Sequence, residues 1–298
     1  MREQTSGHQP LFIVMNLKLF IAALVLSSCT AARLSVPPGF SSHATRMPVS
    51  GLNGWMINQK LSFAPYQTSK VKRGWDFSSS LQYTKFRMNP EELLAKVFLD
   101  VDTDKKKRYQ HNRFQYVVQD GTLEAEVYAT EKFNEDQLVY KSNNPFIGTV
   151  SKTNRYEYAF TAAVLPLNTA DKEPWSVVLI NKYDIEANRD RGLFSRPYVE
   201  EEGYATNGKE NIAIRPIRSD KIAGKDGKET KVLGGKMLMG YELQWNNRPV
   251  VMIDILSNEI WMQQDVTTEA RLILASVSSA ILLKRMQDVE QDKDDLDK

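Results

Sequence analysis

The segment Ala270–Leu283 constrains the fold more than any other part of the chain. It reads Ala-Arg-Leu-Ile-Leu-Ala-Ser-Val-Ser-Ser-Ala-Ile-Leu-Leu, and Arg271 is its one charge. Asp265, Thr267, Thr268 and Glu269 offer capping side chains and an acid for a first turn, while Lys284 and Arg285 suit the negative end of a helix dipole. The pattern predicts a helix over 266–286. Apolar or small residues occupy every face, and such a helix wants burial on every side. These 14 residues rise about 21 Å, too little to cross a bilayer comfortably. Protein, not lipid, has to cover them.

What precedes this helix reads as strands. Aromatic and β-branched residues alternate from Trp55, Ile57, Leu61 and Phe63, through Val71–Phe77, to Leu81, Tyr83 and Phe86. Asn89-Pro90-Glu91-Glu92 opens a short helix through Leu94, with strand-like residues at 97–101. Phe114–Val118 and Leu123–Tyr128 flank Asp120-Gly121, a pair suited to the two positive-φ positions of a type I′ hairpin turn. Further strands are predicted at 137–141, 145–151, 155–165, 174–185, 211–218, 230–233, 236–246, 249–256 and 258–263. Asn143-Asn144, Asp226-Gly227 and Asn246-Asn247 punctuate them. Residues 188–209 read as a long loop. The chain is therefore mainly β, with about a dozen antiparallel strands.

Two architectures bury a fully apolar helix among strands. A barrel can close around it, or a sandwich can carry it on one face. In its order of elements, with three strands from Gly240 to Trp261 leading into the helix, the stretch from about 50 to 286 resembles the tubby and scramblase-like barrels, which enclose a hydrophobic C-terminal helix. No residue-level signature accompanies the resemblance, so it transfers no binding residues.

The second informative feature is Cys29, the only cysteine in the chain. It follows Leu26-Ser27-Ser28 and the apolar run Leu19–Val25, behind Met15-Asn16-Leu17-Lys18. A short basic region, an apolar core and small residues at a cleavage site have the plan of an export signal. Residues 15–29 resemble the lipobox of bacterial lipoproteins, which implies that the Cys29 thiol takes a diacylglyceryl group. Cleavage before Cys29 then exposes an amino terminus that receives a further acyl chain, a palmitate. Each buried methylene adds about 0.8 kcal/mol, so two or three chains anchor firmly. Arg2, Glu3 and His8 fit this plan badly, and translation from Met15 gives the cleaner signal.

The expected organisation is an upstream extension and signal at 1–28, a flexible tether at 29–50, one β-rich domain at 51–286 and a disordered acidic tail at 287–298. Thr30 follows the cysteine and no acid occurs through Val36. By resemblance to lipoprotein sorting rules this points to the outer membrane, facing the periplasm.

Of 39 basic residues only Arg2 and Lys18, and of 37 acidic residues only Glu3, precede Cys29, which leaves a net charge of +1 from there on. That balance argues against a nucleic-acid partner. With the one thiol committed to lipid there is no internal disulfide, and with His43 and His111 the only histidines beyond the signal a Cys/His zinc site is hard to build. Asp100, Asp102 and Asp104 open like a calcium loop, but Lys105 and His111 stand where glycine and glutamate are required. Lys105–Arg108 reads as an exposed basic turn, and Lys70, Lys72 and Arg73 beside Val71 and Trp75 as a half-exposed strand or a basic, aromatic face for lipid or glycan. Glu200-Glu201-Glu202, near Arg196 and Tyr198, reads as a solubilising loop rather than a catalytic pair. No nucleophile elbow, phosphate loop or H-E-x-x-H motif occurs. The sequence therefore predicts no catalytic, metal or cofactor residue, and lipidation at Cys29 as the one assigned site. The expected protein is a non-enzymatic envelope lipoprotein, held to the bilayer by Cys29, that binds a protein partner or an apolar ligand. A hydrolase acting on glycan or lipid, or a structural subunit of an envelope assembly, are the alternatives.

Overall fold

The computed structural model describes residues 33–74, 108–141, 149–184, 200–224, 229–231 and 236–284. Its short early strands are β1 (Ala44–Pro48), β2 (Ser62–Phe63), β3 (Tyr66–Thr68) and β4 (Lys72–Arg73). Long strands follow: β5 (Arg108–Gln119), β6 (Glu124–Lys141), β7 (Thr149–Pro166) and β8 (Trp175–Asp184). Then come β9 (Glu200–Thr206), β10 (Asn211–Ser219), the small pair β11 (Lys221–Ala223) and β12 (Glu229–Lys231), and β13 (Met237–Trp245), β14 (Arg248–Asp254) and β15 (Glu259–Gln263). Two helices, α1 (Pro38–Ser41) and α2 (Thr268–Leu282), complete the described elements.

The main sheet is antiparallel and runs β1-β15-β14-β13-β10-β9-β8-β7-β6-β5-β3-β2, with β4 also paired to β5. Its two ends meet. Just past β1, Ser50 N–H donates to Ser62 O of β2 at 3.0 Å, and Ser62 N–H donates back to Ser50 O at 3.1 Å. This bridge brings the sheet to a nearly closed barrel and covers the edges that would otherwise invite pairing with another chain. The sandwich alternative is thereby set aside.

The barrel is filled by α2. Every residue from Leu272 to Leu282 is buried, as the all-apolar pattern requires. Inward residues from around the wall pack on it, among them Phe63, Tyr116, Val127, Leu179, Ile214 and Ile253. Three serines sit in this apolar setting without penalty because their hydroxyls turn back onto the helix. Ser276 Oγ donates to Leu272 O at 2.8 Å, Ser278 Oγ to Leu274 O at 2.7 Å and Ser279 Oγ to Ser276 O at 3.0 Å. Ser279 Oγ also shares a 2.9 Å bond with the Tyr116 hydroxyl, whose burial raises its pKa above the ordinary phenol value. At its start, Thr267 caps the Ala270 amide and Glu269 accepts from Ala170 N at 2.9 Å, which ties the helix to the β7–β8 loop.

Several expectations need correction. The tether expected over 29–50 is part of the folded body from Arg33 onward. Leu34 and Phe40 bury against Met239 and Met252 on the outer face of β13 and β14, Pro38 stands at the start of α1, and β1 pairs with β15. These apolar residues are irregularly spaced, so no periodic signal announced them. Trp55 and Ile57, expected in a strand, lie in an exposed loop. The segments 123–128 and 137–141 join as β6, and 145–151 and 155–165 join as β7, while β9 occupies part of the expected 188–209 loop. At Asp120-Gly121 only the glycine has positive φ. The Asp120 carboxylate instead accepts from Thr122 N and Leu123 N, making an Asx turn. The type I′ pattern belongs to Asn246-Asn247, with φ of 52° and 60°. Cys29, the 89–94 helix, the 97–101 strand, Asp100–Asp104 and the 287–298 tail lie outside the described residues.

Gly240 on β13 is where the wall is tightest. A Cβ there would lie 1.8 Å from the backbone oxygen of Ile253 on β14, and backbone cannot swing aside as a side chain can. Gly240→Ala should destabilise the barrel by about 1–3 kcal/mol or more, read as a lowered midpoint of chemical unfolding. An unchanged midpoint would mean that the β13–β14 ladder has slack at this position.

Candidate functional site

At the C-terminal end of α2 the apolar filling gives way to a polar layer. Lys284 follows the helix and is only 4% exposed. Its Nζ donates to the Tyr241 hydroxyl at 2.7 Å and lies over the rings of Tyr241 and Tyr158, at 4.7 and 5.7 Å from their centroids. The Tyr241 hydroxyl donates to Glu201 Oε1 at 2.8 Å, and Arg218 Nη2 meets Glu201 Oε2 at 3.2 Å. On the other side, the Tyr158 hydroxyl donates to Glu131 Oε2 at 2.8 Å, and Asn112 Nδ2 to Glu131 Oε1 at 2.7 Å. Strands β5, β6, β7, β9, β10 and β13 thus each send one polar side chain inward at this level.

Arg73 completes the layer from β4. Its Nη2 donates to the carbonyl of Leu283 at 2.8 Å and to Gln59 Oε1 at 2.9 Å, and its guanidinium stacks over Phe114 at 4.7 Å. A helix ends in carbonyls without intrahelical donors and carries partial negative charge there. Arg73 and Lys284 answer both needs. Each carboxylate in turn is held by a tyrosine hydroxyl and a nitrogen donor, the pattern by which buried charge is tolerated.

Above this layer lies an open cavity of about 300 Å³, lined by Leu52, Asn53, Met56, Arg73, Leu282 and Lys284, among others. Its rim is cationic and its walls partly apolar. At the opposite end of the barrel a cavity of about 170 Å³ is edged by Asp171, Glu210 and Glu269, beside the start of α2. Asp171, Glu210 and Glu269 thus lie near the positive end of the helix dipole, and Arg73 and Lys284 near the negative one.

The structure places the residues singled out in the sequence as follows. Glu201, expected in a solubilising loop, points into the barrel and its side chain is 1% exposed. Arg73, read as one of a half-exposed basic strand, is the inward cap of α2, whereas Lys70 is exposed. His43 is exposed beside β1. Lys284, expected to suit the helix end, does so from inside the barrel. Tyr158, Tyr241 and Glu131 belong to no motif, and polar residues inside otherwise apolar strands are the one signal that marks them. Among the described residues no group of three or more His, Cys, Asp or Glu is placed to hold a metal, and no helix is long and apolar enough to cross a membrane. No family model matches the chain, nor does any curated protein or solved structure.

Proposed function

We propose that the protein is a lipid-tethered, non-enzymatic envelope protein that works by binding, with its barrel held close to the bilayer. The observation that carries this reading is the short distance between the lipobox-like cysteine and the folded body. Arg33 N and Ala223 N exchange backbone bonds with each other's carbonyls, and Leu34 N donates to Asp254 Oδ2 at 2.9 Å. Cys29 lies four residues earlier, a reach of about 14 Å at most. An acylated Cys29 would therefore keep the barrel against the membrane rather than on a long stalk. The residues around Cys29 support the outer membrane, facing the periplasm. The enclosed helix supports kinship with the tubby and scramblase-like barrels.

Because α2 fills the barrel, an apolar ligand would bind at the mouth cavity or on the outer wall and not in the lumen. A protein partner is the other binding reading. The arrangement of Glu131 and Glu201, each held by two donors, supports a structural use over acid–base catalysis. Cys29→Ser should abolish incorporation of labelled palmitate and move the protein from the membrane pellet to the soluble fraction. Retained labelling in this variant would sink the tether.

A further inference from the structure

The loop between β1 and β2 has an unusual construction. Trp55 is 84% exposed and Ile57 64%, in a protein whose other large apolar side chains are almost all covered among the described residues. Their exposure is enforced by the backbone. Asn53 clamps the turn: its Nδ2 donates to Ile57 O at 3.1 Å, its Oδ1 accepts from Ile57 N at 3.3 Å, and its carbonyl accepts from Met56 N at 3.1 Å and Gln59 Nε2 at 3.3 Å. Met56 and Asn58 both sit at φ 53°, a conformation that side chains such as methionine adopt only at a cost. At the loop base Gly51, φ +89°, lets the two arms meet, since a Cβ there would fall 1.9 Å from Lys60 O. Such a loop holds Trp55 and Ile57 outward as a fixed pair.

Its location says what the pair meets. The loop shares the mouth cavity with Ile255 and Asn258 of the β14–β15 turn, and Val49 N bonds Asn258 O at 2.8 Å. The same turn receives the start of the described chain: Asp254 binds Leu34 N through one oxygen, while the other accepts from Leu256 N and Ser257 N. The described chain thus begins at the end of the barrel that carries the loop. Exposed Lys60 and Lys70 flank it, because Val71 N bonds Gln59 O at 2.8 Å and draws the two stretches side by side. The acidic residues Asp171, Glu210 and Glu269 lie at the far end.

We infer that the 51–60 loop is a second membrane contact. Trp55 and Ile57 enter the interfacial layer of the bilayer, and Lys60 and Lys70 meet anionic phospholipid headgroups. Tryptophan favours that layer because its ring is apolar at one end and a hydrogen-bond donor at the other. Each lysine near such a surface adds about 1 kcal/mol. The inference rests on the tether reading for its orientation. β6 and β7 run on past the same end, to Lys141 and Thr149, so the proposed contact is confined to the β1–β2 seam.

The test uses the full, processed protein in vesicles of phosphatidylcholine and phosphatidylglycerol. An environment-sensitive fluorophore is placed at Ile57→Cys or, as the far-end comparison, at Lys209→Cys. The probe at 57 should shift to the blue and be quenched by spin-labelled lipid, whereas the probe at 209 should respond only to aqueous quencher. Equal behaviour of the two probes would overturn the inference. So would a probe at 57 shielded from water yet untouched by lipid quencher, because a protein would then be covering the loop. The chain without an added cysteine reports separately on the tether, since it takes up label only if Cys29 is free. In that event the comparison is read in the Cys29→Ser background.

Discussion

Leu274→Asp should leave the chain without a cooperatively folded barrel. Leu274 lies in the middle of α2 with no exposed surface, and its neighbours from Leu272 to Leu282 are buried in every direction. A carboxylate placed there has no face through which to reach water, and an unpaired buried charge costs several kcal/mol even after relaxation. Whole domains are stable by only about 5–15 kcal/mol, so one such change consumes a large part of the total. The helix cannot simply leave, because Phe63, Tyr116, Val127 and Ile214 would then line an empty lumen. The expected result is loss of near-ultraviolet circular dichroism and of a sigmoidal unfolding transition. Leu274→Ala provides the graded comparison. It should cost about 2–5 kcal/mol and lower the midpoint while keeping the transition. If Leu274→Asp unfolds with an unchanged midpoint, α2 is not enclosed.

That helix is also where the sequence was most legible. Fourteen residues with one charge leave only burial on all sides, and an all-β remainder leaves few ways to provide it. The strands from β13 to β15 were equally clear, because apolar and aromatic runs there are separated by the Asn246-Asn247 turn. Alternation failed as a guide at β7. Ala159–Leu165 is buried on both faces, so its pattern is a continuous apolar run and the strand's true length is hidden. It misled at Trp55 and Ile57, where spacing two apart reflects a pair presented together by a clamped loop and not a pleat. The site was hardest to read. Glu201 is one of three adjacent glutamates, and only the pleat of β9 decides that it turns inward against Tyr241 while Glu202 is exposed. Arg73 and Leu283 are 210 residues apart, and no local pattern predicts that one caps the other.

The polar layer gives the second large effect. Glu201→Leu should cost about 3–5 kcal/mol, because it removes the carboxylate that sits between the Lys284–Tyr241 pair and Arg218 and leaves buried positive charge behind. Lys284→Met keeps the stem that packs on Tyr158 and Tyr241 but removes the charge, and should cost less. The informative variant carries both changes. If Glu201 and Lys284 stabilise one another through the Tyr241 hydroxyl, the double variant should be more stable than the sum of the single losses predicts, by about 0.5–3 kcal/mol. A layer that merely coexists with the fold would give additive losses. Ionic strength separates the layer from the exposed pairs: salt screens Lys209–Glu173, 68% and 47% exposed, far more than Glu201–Arg218, whose side chains are 1% and 22% exposed. Raising salt should therefore leave the Glu201→Leu loss nearly intact. Loss of the layer should also loosen the end of α2 beneath the mouth cavity, seen as faster amide exchange at Ile281–Lys284 than at Leu272–Ala275. Uniform exchange along the helix would assign the layer to global stability alone.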